Sequence, residues 1–442
     1  EVLNNLGYEV SGSDIQSNDA TKRLEGMGCS ISYKQHGDNV IGKQAVVVSS
    51  AIGSNNAELQ EAKKQKLLVV PRAEMLAELM RFRFGIAVAG AHGKTTTTSL
   101  IVHILSEAKL DPTYIIGGII NATGMNAKLG KSDYLVAEAD ESDASFLHLK
   151  PMLSVITNID EDHMATYKHN YNNLTKAFIN FTSNLPFYGV CVACIDDQGV
   201  QDILSKIHRP ILSYGFSEDA DVKASNVVQN KMKMNFDVDC QSFQKKFPVT
   251  LNLIGKHNIL NALAAISIAL ELEIKPKLIQ KALANFSGVS RRLDYHQTIT
   301  VNKKTVPLFD DYGHHPNEIA AVLSTLRNTY PANRLVVIFQ PHRFSRTRDM
   351  FNEFVSCLSK AGVLILLDIY SANEKPIKQI TSSVLANSIR QRSSIDPIVV
   401  NDSTEIVDIL PNIIHKNDVV LTLGAGDVNK IPHQLKEYFT SS

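Results

Sequence analysis

A glycine-lysine segment, Ala89-Gly-Ala-His-Gly-Lys-Thr-Thr-Thr-Thr98, follows an apolar run and has the composition of a phosphate-binding loop. Glycines let backbone N–H groups approach phosphate oxygens, and the amino end of a following helix adds positive potential. Lys94 can reach the outer phosphates of a nucleoside triphosphate, and the Thr95 hydroxyl can coordinate Mg²⁺. The strict pattern requires glycine where Val88 stands, so only the core Gly90-x-x-Gly93-Lys94-Thr95 is satisfied. The segment predicts triphosphate binding and leaves its purpose open.

Two acidic segments follow predicted strands. Strand Tyr134–Ala137 ends in Glu138-Ala-Asp-Glu-Ser-Asp143, and strand Leu153–Thr157 ends in Asn158-Ile-Asp-Glu-Asp-His163. Ligands gather at the carboxyl ends of parallel strands, where a phosphate loop also lies. Carboxylates and an imidazole beside a triphosphate can hold hard divalent cations. For any single acid a solvated loop is the better interpretation, but both segments together favour a metal site.

Two further polar segments lie in the last third of the chain, Asp310-Asp-Tyr-Gly-His-His-Pro316 and Gln340-Pro-His-Arg-Phe-Ser-Arg-Thr-Arg348. If the second segment is helical, Arg343 and Arg346 share a face, and paired guanidinium groups match a carboxylate or phosphate. A solvated arginine cluster is the alternative. His314 stands four residues before a glutamate, but no third ligand is evident, so zinc is not predicted.

His257 and Asn261 stand four residues apart on one face of a predicted helix. Asn261 carries both a donor and an acceptor, which suits an adenine edge. Helix capping and satisfaction of the core are the alternative for this pair.

The first residues predict the second half of a Rossmann-type unit. Gly7 ends a short apolar helix, and Tyr8–Asp14 is predicted as a strand that closes on an acid. In such units the acid commonly meets a ribose hydroxyl, although Asp14 capping a turn is an equal alternative. The strand and glycine-rich turn expected before this helix are absent, so we expect the chain to be cut within its first nucleotide-binding unit.

The composition indicates a cytoplasmic enzyme of about three domains, at roughly 150 residues per domain. The 442 residues include 45 basic and 45 acidic side chains, and this zero net charge excludes an electrostatic nucleic-acid binder. No apolar run approaches the ~18 residues of a membrane span. Strands and helices alternate along the chain, which predicts an α/β fold with parallel sheets.

The segments together resemble the Mur ligases, and within them the alanine-adding members. The resemblance covers nearly the whole chain in order, through the motifs Gly90-Ala-His-Gly-Lys-Thr-Thr, Asn158-Ile-Asp-Glu-Asp-His-Met164, Gly255-Lys-His-Asn-Ile-Leu-Asn261, Ser290-Arg-Arg-Leu, the two polar segments of the last third, and Gly424-Ala-Gly-Asp427. It implies three domains: a truncated Rossmann-like UDP-sugar domain (1–83), a central P-loop-type ATPase domain with a mixed sheet (84–291), and a Rossmann-like carboxyl-terminal domain (292–442) that closes on the amino acid and nucleotide.

The resemblance also implies the reaction. ATP, with Mg²⁺ or alternatively Mn²⁺, would activate the lactyl carboxylate of UDP-N-acetylmuramate as an acyl phosphate, which L-alanine then captures in peptidoglycan precursor synthesis. Domain closure would assemble the site and exclude water. The implied partners are these small molecules, without nucleic acid or membrane, and the expected state is a monomer or weak homodimer.

The implied site residues fall into five groups. The catalytic residues are Lys94, His163 and Arg292, with Arg291 as the alternative to Arg292. The triphosphate would meet Gly90, Ala91, His92, Gly93, Lys94, Thr95 and Thr96, and the nucleoside His257, Asn261 and Asp311. The metal ligands would be Thr95, Glu138 and His163. The alanine site would comprise Tyr312, His314, His342, Arg343 and Arg346. The nucleotide-sugar side would comprise Asp14, Gly117, Gly118, Ser142 and Asn158.

Two other functions remain open on the sequence. One is a ligase of the same family that adds a tripeptide to the same sugar nucleotide. The other is a nucleotide-gated binding protein without ligation, against which the clustered histidines and arginines of the last third argue. The same motifs argue against folate-type polyglutamate ligases, which share the central fold.

Overall fold

The computed structural model describes residues 1–49 and 52–440, in which strands and helices alternate throughout. The chain forms two units. The first comprises Glu1–Val228, Asn235–Leu251 and Asn258–Ser287, and the second comprises Gln229–Met234, Asn252–His257 and Gly288–Ser442. The predicted α/β fold class is confirmed. Within the described residues, none of the helices combines the length and the apolar composition needed to cross a bilayer.

The first unit begins with two parallel strand pairs. Its elements are α1 (Val2–Asn5), β1 (Ser11–Ser13), α2 (Asp19–Gly26), β2 (Ser30–Ser32), β3 (Ala45–Val48), α3 (Ala57–Lys64), β4 (Leu68–Pro71) and α4 (Arg72–Arg81). β1 pairs with β2 and β3 with β4, as separate sheets. The strand predicted over Tyr8–Asp14 is shorter than expected because the N–H of Tyr8 bonds to the carbonyl of Leu3 and closes α1. Gly7, at φ +90°, ends that helix as predicted.

A ten-stranded mixed sheet with its helices makes up the rest of the first unit, except that the residues of β12, β13 and α8 within 229–234 and 252–257 belong to the second unit. Its order is β14-β13-β12-β11-β10-β9-β5-β8-β6-β7. The elements are β5 (Phe84–Ala89), α5 (Lys94–Glu107), β6 (Thr113–Ile120), β7 (Met125–Lys128), β8 (Tyr134–Glu138), β9 (Leu153–Ile156), α6 (Tyr171–Ser183), β10 (Val190–Cys194), α7 (Gln198–Leu204), β11 (Ile211–Gly215), β12 (Val222–Asn230), β13 (Lys233–Cys240), β14 (Lys245–Leu251), α8 (Lys256–Glu271) and α9 (Pro276–Asn285).

The buried strand β5 is the centre of this sheet for the chemistry. It runs parallel to β8 on one side and to β9 on the other, with Val88 opposite Glu138 and Ala89 opposite Ile156. Three consecutive strands therefore end at one sheet edge. The segments that follow them are the phosphate loop and the two acidic segments, as the sequence predicted.

The second unit contains a six-stranded sheet in the order β15-β16-β20-β17-β18-β19, parallel except for β15 against β16. Its elements are β15 (Asp294–Val301), β16 (Lys304–Asp311), α10 (Pro316–Thr329), β17 (Arg334–Phe339), α11 (Phe344–Asp349), α12 (Phe351–Leu358), β18 (Val363–Leu367), α13 (Ser382–Arg392), β19 (Ile398–Val400), α14 (Glu405–Ile413), β20 (Asp418–Leu423) and α15 (Ile431–Thr440). Asp311, Leu423 and Phe339 lie in register at the ends of adjacent strands, so the polar segments that follow them leave one sheet edge.

Candidate functional site

The phosphate loop of the first unit requires glycine at two positions. Gly90 has φ +136° and Gly93 has φ +81°, a region that side chains with a Cβ rarely adopt. A Cβ on Gly90 would lie 2.0 Å from Thr157 Oγ1, and one on Gly93 would lie 2.4 Å from Asn261 Oδ1. The two retained glycines of the shortened motif are therefore the ones that the packing demands.

The segment after β9 holds the loop in shape. Thr157 Oγ1 and Asn158 Nδ2 donate to the carbonyl of His92 at 2.7 and 2.9 Å, and Asn158 Oδ1 accepts from the N–H of His92 at 2.8 Å. The His92 ring also contacts Asp160 Oδ2 at 3.0 Å. The amide of Asn158, predicted on the nucleotide-sugar side, is thus bonded to the phosphate loop. Thr157 and Asp160 were not singled out from the sequence.

The ammonium of Lys94 is held by an acid that the sequence did not distinguish from its neighbours. Lys94 Nζ lies 2.8 and 3.1 Å from the two carboxylate oxygens of Glu141 and 2.6 Å from the carbonyl of Gly90. Glu141 is 4% exposed. Burial alone would lower the pKa of Lys94, but the charge and hydrogen bonds of Glu141, together with the charges of Asp140 and Glu138, hold that pKa above its ordinary value. The lysine therefore stays charged.

Two side chains connect the acidic segments to each other. Tyr167 Oη donates to the carbonyl of Glu141, and Thr166 Oγ1 donates to the carbonyl of Ser142 at 2.6 Å. His163, in the same segment, has φ +53° and its Nε2 lies 3.4 Å from Asp162 Oδ2. The turn that carries His163 and the turn that carries Ser142 are therefore fixed to one another.

The three predicted metal ligands come from three segments that leave one sheet edge. Thr95 begins the helix after the loop, Glu138 ends β8, and His163 follows β9. The N–H of Gly117 donates to Glu138 Oε1 at 2.8 Å, which fixes that carboxylate and places Gly117 beside it. Hydroxyl, carboxylate and imidazole donors suit a hard divalent cation. The donor set fits such an ion, and its occupancy stays a prediction.

Two predicted ligand-binding residues of the first unit are bonded internally. Asn261 Oδ1 accepts from Thr97 Oγ1 at 3.3 Å, and its Nδ2 donates to Asn258 Oδ1 at 3.1 Å. Asp14 accepts from the N–H of Ile15 at 2.7 Å and from Asn18 Nδ2 at 3.2 Å. These contacts correspond to the alternatives of core satisfaction and turn capping, and the adenine and ribose roles stay predictions.

In the second unit, Arg291 has a structural position. Its Nε donates to Asp310 Oδ2 at 3.1 Å, and its Nη2 donates to the carbonyl of Gly424. Thr422 Oγ1 donates to the other oxygen of Asp310 at 2.6 Å. Arg292 makes a longer contact, 3.7 Å to Glu318 Oε1. The sequence did not decide which of the two arginines is catalytic. The guanidinium of Arg292 makes fewer close hydrogen bonds within the fold than that of Arg291.

Asp311 and Glu318 both bind backbone. Asp311 accepts from the N–H groups of Leu293 and Gly313 at 2.6 and 2.7 Å, and burial raises the pKa of this carboxyl to about 7. Glu318 Oε2 accepts from the N–H of His315 at 3.2 Å in a capping box at the start of α10, and from the N–H of His314 at 3.0 Å. Glu318 therefore serves as part of a helix cap.

A row of rings connects the two polar segments of the second unit. The Tyr312 ring lies 5.1 Å from the guanidinium carbon of each of Arg291 and Arg292 and 5.2 Å from the His314 ring. His314 lies 5.7 Å from His342, whose ring stacks on Tyr370 at 5.4 Å with planes 10° apart. The structure thus brings together three of the predicted alanine-site residues, which are Tyr312, His314 and His342. Tyr370, outside every motif, was missed.

The predicted shared face of Arg343 and Arg346 is wrong. Helix α11 begins at Phe344, and Arg343 precedes it with φ +71° because its N–H bonds to the carbonyl of Tyr370 at 2.8 Å. Arg343 is exposed, whereas Arg346 is 7% exposed and its Nη1 lies 3.4 Å from His342 Nδ1. The two guanidinium groups therefore occupy different environments.

A phosphate loop between a buried strand and a helix defines a nucleoside-triphosphate-binding α/β protein. Three family models match this chain: the Mur ligase family catalytic domain over residues 1–84, the Mur ligase middle domain over 88–269, and the Mur ligase glutamate ligase domain over 291–426. The chain belongs to the Mur ligase family. The resemblance inferred from the motifs is confirmed.

Similar proteins cover nearly the whole chain. A relative from Vesicomyosocius okutanii, named UDP-N-acetylmuramate–L-alanine ligase, is 63% identical over 100% of this chain and 94% of its own length. A relative of the same name from Methylococcus capsulatus is 51% identical over 99% of this chain and 92% of its own. The crystal structure of UDP-N-acetylmuramate–alanine ligase from Thermotoga maritima has a TM-score of 0.84 at 24% identity, covering 99% of this chain and 95% of that one. This last likeness shows the shared fold.

Proposed function

We propose that this protein is an ATP-dependent ligase that joins L-alanine to the lactyl carboxylate of UDP-N-acetylmuramate. The observation that carries the proposal is the set of relatives with that activity in their names, which are 51–63% identical over 99–100% of the chain. The prediction made from the motifs agrees with it. The phosphate loop of the first unit, and the rings and arginines around Tyr312, His314 and His342 in the second unit, would supply the chemistry that such a reaction needs.

A carboxylate is a poor electrophile, so amide formation requires its activation. The lactyl carboxylate would attack the γ-phosphorus of ATP to give an acyl phosphate and ADP. The amine of alanine would then attack the carbonyl and release phosphate and a proton. Two anions meet in the first step, so positive charge must surround them. Lys94, held charged in the loop, would supply part of that charge.

In the first unit, the loop from Gly90 to Thr96 would bind the phosphates. Thr95, Glu138 and His163 would hold the divalent cation, Mg²⁺ or alternatively Mn²⁺, which when bound neutralises charge on the triphosphate. The nucleotide-sugar side would include Gly117, Gly118 and Ser142, with Asp14 and Asn158 contributing through the turns that they stabilise. Gly117 supports this placement because it lies beside Glu138.

In the second unit, Arg292 would meet the transferring phosphate or the carboxylate. The alanine site would be formed by Tyr312, His314, His342, Arg343 and Arg346, with a guanidinium on the amino-acid carboxylate. His257 and Asp311 are proposed on the nucleoside side. Burial lowers the pKa of His257 to about 4, so its imidazole would be neutral when it meets the base.

The proposal also includes the domain boundaries, the partners, the compartment and the assembly state. Domain boundaries near residues 83 and 291 are supported by the ranges of the three family-model matches. The partners would be the three small-molecule substrates, the compartment the cytoplasm, and the assembly a monomer or weak homodimer. No contact with nucleic acid or membrane is part of the proposal.

The test is product formation. The protein is incubated with UDP-N-acetylmuramate, ATP, MgCl₂ and either L-alanine or the tripeptide L-alanyl-γ-D-glutamyl-meso-diaminopimelate, and products are identified by mass spectrometry. We expect UDP-N-acetylmuramoyl-L-alanine, ADP and phosphate with alanine alone. A product with the tripeptide but not with alanine would assign the other ligase activity, and nucleotide binding without any product would indicate a binding protein.

A further inference from the structure

We propose that Tyr370 and Glu374, which follow β18, are positioning residues that hold His342–Arg346 in the conformation that binds the amino-acid substrate. This inference rests on the proposed function. Neither residue belongs to a motif, and neither would need to touch the substrate. Three features connect Tyr370 and Glu374 to this segment: a backbone link, a ring stack and a carboxylate.

The backbone link extends the β17–β18 pairing beyond the ends of these strands. The N–H of Tyr370 donates to the carbonyl of Pro341 at 2.8 Å, and the N–H of Arg343 donates to the carbonyl of Tyr370 at 2.8 Å. These bonds form a parallel bridge between His342 and Tyr370. The bridge holds Arg343 at φ +71°, a conformation that non-glycine residues keep only when their surroundings impose it.

The ring stack transmits this placement to two predicted substrate-binding side chains. The Tyr370 ring lies parallel to the His342 ring at 5.4 Å, and Arg346 Nη1 lies 3.4 Å from His342 Nδ1. Gly426 closes the space beside Tyr370, since a Cβ there would lie 2.8 Å from the ring. The imidazole is therefore fixed by Tyr370, and it adjoins the guanidinium that would bind the amino acid.

The carboxylate of Glu374 fixes the first turn of α11. Its two oxygens accept from the N–H of Ser345 at 2.9 Å and from Ser345 Oγ at 2.6 Å. Burial opposes ionisation, but these bonds and the charge of Arg343 lower the pKa of Glu374 below its ordinary value. An ionised Glu374 thus anchors Ser345, which stands between the two arginines of the proposed alanine site.

Loss of these contacts would reduce the fraction of molecules in which the segment is ordered for alanine. Apparent affinity falls in proportion to that fraction, whereas saturating alanine restores it. The expected signature in Glu374→Ala and Tyr370→Ala is a KM for L-alanine raised at least fivefold. The KM for ATP and kcat at saturating alanine should stay within twofold of wild type. Tyr370→Phe, which keeps the ring, should behave as wild type.

The matched control is Glu405→Ala. Like Glu374, Glu405 accepts two hydrogen bonds near the start of a helix of the same unit, in this case from the backbone N–H groups of Asn401 and Asp402. It should leave all three KM values unchanged. Ser345→Ala removes one bond to Glu374 with little risk to folding, and it should raise the KM for alanine in the same direction.

A second readout separates this inference from the proposed function. Hydrogen exchange at the amides of Arg343 and Ser345 should accelerate at least tenfold in Glu374→Ala and Tyr370→Ala, whether or not the wild type ligates alanine. Unchanged exchange, an unchanged alanine KM, or equal rises in the KM values of all substrates would overturn the positioning role. Absence of product from the wild type, with the exchange result as expected, would overturn the proposed function alone.

Discussion

The phosphate loop of the first unit and the ring cluster of the second unit are built in different ways. In the loop, backbone groups of Gly90 and His92 and the Lys94 ammonium are held by hydrogen bonds of 2.6–2.9 Å and by a buried ion pair. In the ring cluster, which comprises Tyr312, His314, His342 and Tyr370, neighbouring rings contact one another with centroids 5.2–5.7 Å apart, two pairs edge-to-face and the His342–Tyr370 pair stacked.

This difference has a consequence for function. A loop whose conformation is fixed by backbone hydrogen bonds and glycines is rigid. Rigidity suits a ligand such as the triphosphate, which has the same structure in every reaction cycle. A cluster of side chains in ring contact depends on the residues packed against it, so those residues would change its affinity for the amino acid. Changes in the loop should therefore affect turnover, and changes in the cluster should mainly affect the KM for the amino acid.

The largest effect is expected for Lys94→Ala. Loss of the charge that meets the developing anion should reduce turnover at least ~10²-fold. It also leaves Glu141 buried without its partner, so we expect lower stability as well. Lys94→Ala/Glu141→Gln should recover stability and not activity, as measured by phosphate release and thermal melting. Near-normal phosphate release from Lys94→Ala would refute the role.

Arg291 and Arg292 should separate stability from activity. Arg291→Ala leaves Asp310 buried and should lower the free energy of unfolding by about 3 kcal/mol in urea titrations. Arg292→Ala removes a long, partly exposed contact to Glu318 and a contact with the Tyr312 ring, and should cost only about 1 kcal/mol, while ligation falls at least tenfold. The reverse pattern would assign the catalytic role to Arg291.

Arg343→Ala should weaken alanine binding and spare ATP. A charged hydrogen bond to a carboxylate is worth about 1.5–3 kcal/mol, so the KM for alanine should rise at least ~10-fold. The KM for ATP, measured in the same assay, should change less than twofold. Equal effects on both substrates would remove Arg343 from the alanine site.

The substitution Gly93→Ala tests the rigidity of the phosphate loop, and Gly124→Ala is its control. Both have positive φ, but a Cβ on Gly93 would lie 2.4 Å from Asn261 Oδ1, whereas none of the described atoms lies within 4 Å of one on Gly124. Gly93→Ala should raise the KM for ATP severalfold. Gly124→Ala should cost about 1 kcal/mol of stability and leave that KM unchanged. Similar KM values for both variants would show that crowding at Gly93 does not govern nucleotide binding.

The last prediction concerns stability and not activity, and it is a pH dependence from His257. Burial lowers its pKa from 6.5 to about 4, so the folded protein binds fewer protons than the unfolded chain between these values. The stabilisation is present above pH 6.5 and is lost as the pH falls towards 4. Between pH 7.5 and 5.0, unfolding free energy should fall about 2 kcal/mol more in the wild type than in His257→Gln. The same dependence of unfolding free energy on pH in the wild type and in His257→Gln would contradict a lowered pKa of His257.

Local patterns made part of this molecule predictable. The glycine-lysine loop, the acids at two strand ends and the polar segments of the last third are contiguous in sequence, and each begins where an apolar strand ends. Because neighbouring parallel strands share an edge, the positions of Glu138 and His163 relative to the loop followed from strand order alone.

Other features depend on the tertiary fold. Which of the three acids after β8 contacts Lys94 is set by the turn near Ala144, at φ +61°, and by Tyr167 from the next segment. The separation of Arg343 from Arg346 depends on a bond to Tyr370, in a different segment. Such contacts leave no periodicity or motif in the sequence.

Activation of the lactyl carboxylate by ATP should transfer one carboxylate oxygen to phosphate. UDP-N-acetylmuramate labelled with ¹⁸O in both carboxylate oxygens is converted with ATP and L-alanine, and the released phosphate is analysed by mass spectrometry. We expect one ¹⁸O in each phosphate formed and none in ADP. Product formation with unlabelled phosphate, or with the label in a nucleotide, would contradict it.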